Sequence, residues 1–207
     1  GAVLPRHAPA TLRHRAAGAA RRLRCDIGGA LAAYQALLEA YPLPVKCATA
    51  GAIIGAGDLA AQLIERNPDG VDVPRYLRFV VFGVVLQAPW NAAFFRLVDS
   101  LLPPAPSFLS VETLQRTFVD QGLQAPVFTA VVFIFLGLLE GLSPGEVRGR
   151  LERDLWPTLK ANWVVFVPAA AVNQSLVPQD LRVAFINVVF FMWTVYLSTV
   201  VNRKEPS

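Results

Sequence analysis

The apolar run at residues 47–64 most constrains the fold, because it is close to membrane-spanning length as a helix and still contains a carboxylate. Gly51 and Gly55 stand four residues apart and alanines recur at the same interval, so small residues form flat helix faces that let other helices approach closely. Asp58 and Gln62 are also four residues apart and share a face. A carboxylate inside a membrane helix requires polar partners.

Residues 55–60 also fit the G-x-G-x-x-A pattern of a dinucleotide-binding turn. That fold needs alternating strands and helices, which the sequence does not show. Asp58 would also place a negative charge where the pyrophosphate binds. We therefore interpret the segment as a transmembrane helix.

Composition supports an integral membrane protein. The chain of 207 residues is 54% hydrophobic and only 16% charged, with a mean hydropathy of +0.44, whereas soluble domains carry about a quarter charged residues. Residues 1–25 hold six arginines and no acid, which is typical of a transit peptide or its remnant. We expect this basic arm to dock on a partner, and we expect residues 26–207 to form one membrane domain.

Several functional classes are disfavoured. Both histidines, His7 and His14, lie in the arm, and the two cysteines give no disulfide framework. No Walker loop, Cys-x-x-Cys pair or G-x-S-x-G elbow is present in the sequence. A short basic arm on an apolar body is a poor nucleic-acid binder. We therefore expect neither an enzyme nor a cofactor or metal site.

Hydrophobic periodicity predicts an all-α bundle of about four transmembrane helices, with their apolar parts at residues 47–64, 79–98, 127–139 and 182–201. Residues 162–177 form a shorter apolar segment, broken by Pro168, that either spans with help or enters partway. Amphipathic helices are predicted at residues 26–41 and after the capping box at Ser143 and Glu146, both at the bilayer surface. Pro89 predicts a kink.

The remaining polar residues at membrane depth suggest a network. Asp58 is predicted to pair with Arg75 or Arg78, because an unpaired charge there costs at least about 2.5 kcal/mol. Arg116 and Asp120, four residues apart, are predicted to pair with each other. Gln62 is predicted to bond across the bundle to one of three polar residues, Asp120, Gln121 or Asn173. Such a network either locks the helices together or lines a water-filled route.

A series of motifs runs in order along residues 34–198. It comprises Tyr34, Leu38 and Pro42; Gly57-Asp58 with Gln62; Arg75, Arg78 and Gly83; Pro89; Asp120-Gln121 with Ala125-Pro126; Glu140-Gly141-Leu142-Ser143; Asn162-Trp163; Asn173, Val177-Pro178 and Arg182; and Trp193 with Tyr196-Leu197-Ser198. With this spacing, the chain resembles the Mpv-seventeen and 22-kDa peroxisomal membrane protein family.

The resemblance implies a multi-span protein of the mitochondrial inner membrane or of peroxisomes, and it adds Arg182 to the candidate network. It implies either a weakly selective pore for small solutes or a role in organising the inner membrane. Ala92 and Ala170 stand where relatives carry His and Gln, which disfavours a conducting path. We therefore expect an accessory structural subunit of a larger complex, surrounded by lipid and other subunits, with a small-solute pore as the alternative.

Overall fold

The computed structural model describes residues 28–66, 70–103, 110–177 and 182–202, apart from the side chains of residues 171, 173–175 and 182–184. Within these ranges the chain is helical with short turns and contains no strand. The predicted all-α fold is therefore confirmed. The basic arm and its predicted boundary at residue 25 lie outside the described residues.

The chain divides into two compact units, residues 1–45 and residues 46–207. Helix α1 of the first unit spans residues 28–40 and lies within the predicted amphipathic segment. Leu31, Leu37 and Tyr41 are each more than half exposed. The first unit therefore presents an apolar stripe, and the location of that stripe at a bilayer surface stays a prediction.

Three helices are long and apolar enough to cross a membrane, namely α2 (Pro42–Glu65), α3 (Val73–Leu101) and α4 (Val111–Glu140). Helix α5 spans Pro144–Ser175, and α6 spans Arg182–Val201 with a shorter apolar part at Phe185–Val201. All four predicted spans thus correspond to helices, and α6 is the shortest of them. The outward faces of these helices carry many exposed apolar side chains, which is the surface that lipid contacts.

Small residues bring α2 very close to α3. A Cβ atom on Gly83 of α3 would lie 2.8 Å from backbone atoms of both Ala50 and Gly51 of α2. On the opposite side of α2, a Cβ atom on Gly57 would lie 2.7 Å from the Thr194 methyl of α6. The flat face expected from the glycine spacing is therefore used for helix contact, and α2 packs between α3 and α6.

Helices α3 and α4 each contain a wide π-helical turn, at Phe82–Gln87 and Val119–Gln124. Each turn is followed directly by an Ala-Pro pair, at residues 88–89 and 125–126. A proline ring clashes with the carbonyl four residues earlier and lacks an N–H. The wider turn relieves that conflict, and the N–H groups of Ala88 and Ala125 bond carbonyls five residues back. The distortion expected at Pro89 is therefore a widening of the helix that starts before the proline.

The predicted separation of an amphipathic helix after Ser143 from a short apolar segment at residues 162–177 is wrong. The amphipathic helix and the short apolar segment are one helix of 32 residues that passes through Pro157 and Pro168. A change in polarity along a helix does not end it, because termination needs a cap or a turn. The capping box is confirmed, since the Ser143 hydroxyl and N–H donate to the Glu146 carboxylate and lower the pKa of Glu146.

The core of the second unit lies between α2, α3, α4 and α6. It is built from buried aliphatic and phenylalanine side chains, Ile54, Phe79, Phe82, Val132, Phe133, Leu136, Leu197, Val200 and Val201. Two groups of polar side chains are enclosed beside this core, and they occupy different places along the helices.

Candidate functional site

Asp58 of α2 is completely buried and its carboxylate is fully satisfied. Arg75 Nε donates to Oδ1 at 2.8 Å, and the Ser198 hydroxyl of α6 donates to the same oxygen. Gln62 Nε2 donates to Oδ2 at 2.8 Å. The carboxylate therefore joins three helices without facing open space.

The Arg75 guanidinium also forms several hydrogen bonds besides its bond to Asp58. Its two terminal nitrogens donate to the Glu65 carboxylate at 2.6 and 3.0 Å in a forked pair. One of these nitrogens also donates to the Ser198 Oγ at 2.9 Å. The Ser198 hydroxyl thus accepts from the cation and donates to Asp58, which orients it.

Asp72 and Gln62 fix the start of α3 against α2. The Asp72 carboxylate accepts from the Arg75 backbone N–H at 2.9 Å, as an N-cap does. Gln62 exchanges two hydrogen bonds with the Asp72 backbone, at 2.6 and 3.1 Å. We call this whole group the closed cluster, and it comprises Asp58, Gln62, Glu65, Asp72, Arg75 and Ser198.

The closed cluster contains only part of the predicted network. The prediction that Gln62 reaches Asp120 or Gln121 is wrong, because its amide is occupied by Asp58 and the Asp72 backbone. Arg78 is half-buried one turn beyond Arg75, and it is not a partner of Asp58 in the described structure. The side chains of two further candidates, Asn173 and Arg182, lie outside the described residues.

Asp120 and Gln121 lie instead on the π turn of α4, where they line a cavity of about 190 Å³ between α3, α4, α5 and α6. We call the amide and carboxylate residues of its wall the open cluster, which comprises Gln87, Asn91, Asp120, Gln121, Gln124 and Asn162. The rest of the wall is mainly apolar and includes the aromatic residues Phe82, Phe128, Phe166, Phe190 and Trp193.

Hydrogen bonding in the open cluster is incomplete. Gln121 Nε2 donates to the Asp120 carboxylate at 2.7 Å, and Gln124 donates to Asn91 at 3.1 Å. The side-chain oxygens Gln121 Oε1 and Asn162 Oδ1 are buried without a hydrogen-bond partner. Among the residues that the structure describes, no Lys or Arg forms an ion pair with Asp120.

The predicted pair of Arg116 with Asp120 is therefore wrong. Arg116 pairs with Asp99 of α3 at 2.7 Å and donates to the backbone carbonyls of Leu102 and Pro103. The π turn that begins at Val119 lies between the two residues and removes the regular four-residue alignment of an α-helix.

Comparison with known proteins identifies the family. Residues 137–198 match the Mpv17 / PMP22 family. Peroxisomal membrane protein 2 of Bos taurus is 31% identical over 195 residues, which cover 88% of this chain and 98% of the bovine protein. Protein sym-1 of Neurospora crassa is 35% identical over 167 residues, which cover 80% and 95% of the two chains. The chain belongs to the Mpv17 / PMP22 family.

A third member of the Mpv17 / PMP22 family, the mitochondrial inner membrane protein Mpv17 of Bos taurus, is 32% identical over 173 residues, covering 83% of this chain and 97% of that protein. The names of these relatives refer to the two membranes expected from the sequence, the mitochondrial inner membrane and the peroxisomal membrane. No solved structure matches the chain.

Three members of the closed cluster were absent from the predicted network. Glu65 lies three residues after Gln62, so helical spacing placed it on the same face. Asp72 precedes Val73-Pro74, which is a helix-start signal. Ser198 had no local signal beyond its place in the family motif, because its contact with Asp58 joins residues 140 positions apart.

Proposed function

We propose that this member of the Mpv17 / PMP22 family admits small polar solutes into its helix bundle through the cavity lined by the open cluster. The observation that supports the proposal is a carboxylate and several amides around about 190 Å³ of space. A bundle built only for packing fills such space with apolar side chains. Polar groups that face such a cavity form hydrogen bonds with water or with a solute.

The two alanines that disfavoured a conducting path do not bear on this cavity. Ala92 is half-buried and Ala170 is exposed, and neither is among the described residues that line it. The open-cluster residues that do line it come from α3, α4 and α5. The cavity therefore favours solute passage over the purely structural role expected first.

The experiment is solute efflux from liposomes that contain the purified protein, with neutral polar solutes of increasing size. Asn162→Phe fills the cavity from α5, and we expect it to slow efflux of solutes that the unmodified protein passes. Val164→Phe is the matched control, because Val164 lies on the same helix and is 73% exposed. Equal efflux from both variants would contradict a route through the cavity, provided that both unfold at similar temperatures.

The second candidate is an accessory structural subunit of a larger membrane complex. It is supported by the apolar stripe of α1, where Leu31, Leu37 and Tyr41 are exposed and form a surface suited to another subunit or to lipid. Gentle solubilisation followed by size separation tests it. Migration with a large assembly supports the subunit role, and a particle no larger than the protein with its detergent contradicts it.

Both candidate functions are non-catalytic, because neither changes the solute or the partner chemically. We assign the protein to the mitochondrial inner membrane, with the peroxisomal membrane as the alternative, on the strength of the relatives' names. Density-gradient fractionation against marker proteins of the two organelles separates these locations.

A further inference from the structure

The charge of the open cluster indicates what kind of solute it binds. Asp120 accepts one hydrogen bond, from Gln121, and forms no ion pair within the described part of the chain. Asp120 is half-buried, and an ionised carboxylate that is partly removed from water is stabilised by a nearby cation. The cavity therefore suits a positively charged occupant.

The amide oxygens nearest to Asp120 do not share its access to the cavity. The Asp120 carboxylate only accepts, so the Gln121 atom that faces it is the NH₂ group, and Gln121 Oε1 faces elsewhere. Gln121 Oε1 and Asn162 Oδ1 are both buried and lack donors. These two oxygens have almost no accessible surface, so the Asp120 carboxylate is the acceptor that a ligand in the cavity meets.

The shape and lining of the cavity indicate a body attached to that nitrogen. The cavity volume of about 190 Å³ is several times the roughly 30 Å³ that one water molecule occupies in the liquid, so the cavity is larger than a bare ion needs. The aromatic residues of the wall suit an organic ammonium, because aromatic faces attract cations more strongly when water is excluded. The aliphatic residues Val132 and Leu197 supply further apolar surface.

We propose that the cavity binds a small primary alkylammonium ion, whose nitrogen contacts the Asp120 carboxylate and whose alkyl chain lies among the aromatic rings. The alkylammonium ion is then the class of solute that the site takes, and its physiological role rests on the proposed function. Binding itself is measurable in protein that transports nothing.

The test is calorimetric titration of the full-length protein in lipid nanodiscs with n-butylammonium chloride, with n-butanol and potassium chloride as comparison probes at constant ionic strength. We expect n-butylammonium to bind and n-butanol to bind at least about tenfold more weakly, because the alcohol lacks the charge. Asp120→Asn should weaken n-butylammonium binding by a similar factor. Asp99→Asn is the control, because Asp99 is an exposed carboxylate paired with Arg116, and it should leave binding unchanged.

Equal binding of n-butanol overturns the proposal, because the site is then only apolar. Competition by potassium at equal concentration also overturns it, since the site then takes inorganic cations. Unchanged binding by Asp120→Asn has the same consequence. If Asp120→Asn does not fold, Asn162→Phe, which fills the cavity from α5, replaces it and should weaken binding several-fold.

Efflux measurements separate this inference from the proposed function. Saturable n-butylammonium binding without solute efflux contradicts the proposed function and leaves the ammonium site intact. Efflux of neutral solutes without n-butylammonium binding contradicts the ammonium site and leaves the proposed function intact.

Discussion

The closed and open clusters each place a carboxylate beside amide side chains, but among the described residues an arginine pairs with the carboxylate in the closed cluster alone. Asp58 has Arg75, Gln62 and Ser198 as partners, whereas Asp120 has Gln121 alone among the residues that the structure describes. The first carboxylate is sealed between helices and the second lines a cavity. We infer that Asp58 is structural because the chain supplies its counter-ion, whereas Asp120, which is half-buried beside a cavity, is suited to a ligand.

Local backbone geometry explains why Asp58 pairs with Arg75, whereas Asp120 does not pair with Arg116. The Asp72 cap starts α3 so that Arg75 lies directly opposite Asp58. In α4 the π turn separates Asp120 from Arg116, which pairs with Asp99 instead. The difference between the clusters therefore arises from a cap in one place and a widened turn in the other.

Removing the cation of the closed cluster should produce the largest effect. Arg75→Leu leaves Asp58 and Glu65 without their counter-ion, and loss of one partner of a buried ion pair costs about 3–5 kcal/mol. We expect a much lower unfolding temperature in detergent, read by circular dichroism. The control is Arg78→Leu, one turn along the same helix, which should unfold close to the unmodified protein. Similar losses in both variants would contradict the central role of Arg75.

A smaller effect is expected from the hydroxyl that joins α6 to the cluster. Ser198→Ala removes one donor to Asp58 and one acceptor for Arg75, but both groups retain other partners, so the expected loss is about 1 kcal/mol. Chemical denaturation in mixed micelles measures it. Ser100→Ala removes an exposed hydroxyl bonded to a carbonyl of its own helix and should change almost nothing. No difference between the two serine variants would show that Ser198 is not part of the lock.

The smallest change in stability should come from the open cluster. Asp120→Asn keeps the shape of the side chain and removes a charge that has no ion-pair partner among the described residues, so stability should stay within about 0.5 kcal/mol or rise. The same denaturation assay measures the change. A loss as large as that of Arg75→Leu would make Asp120 a structural residue and would remove the distinction between the clusters.

The helices were predictable because their signals are local. Apolar periodicity indicated the spans, and Ser143 with Glu146 indicated the start of α5. The continuity of α5 was missed because a shift from polar to apolar composition resembles a boundary. The π turns were missed because the proline signal comes after the distortion that it causes.

The site was predictable only in part. Asp58 and Arg75 are joined as the cost of a buried charge requires, and Gln62 contributes to the same group. The partner of Gln62 was predicted wrongly, because a backbone group at a helix start has no side-chain signature. The cavity depends on four helices together, so no single stretch of sequence indicated it.

The closed cluster also bears on how the chain enters its membrane. All of its members except Ser198 lie within residues 58–75, at the end of α2 and the start of α3. The Gly83 contact brings the same two helices together without space for an acyl chain. During synthesis, Asp58 therefore meets its counter-ion inside one helical hairpin, long before α6 is made. The hairpin of α2 and α3 can therefore insert as a unit with its charges already paired, and α6 later adds only the Ser198 hydroxyl.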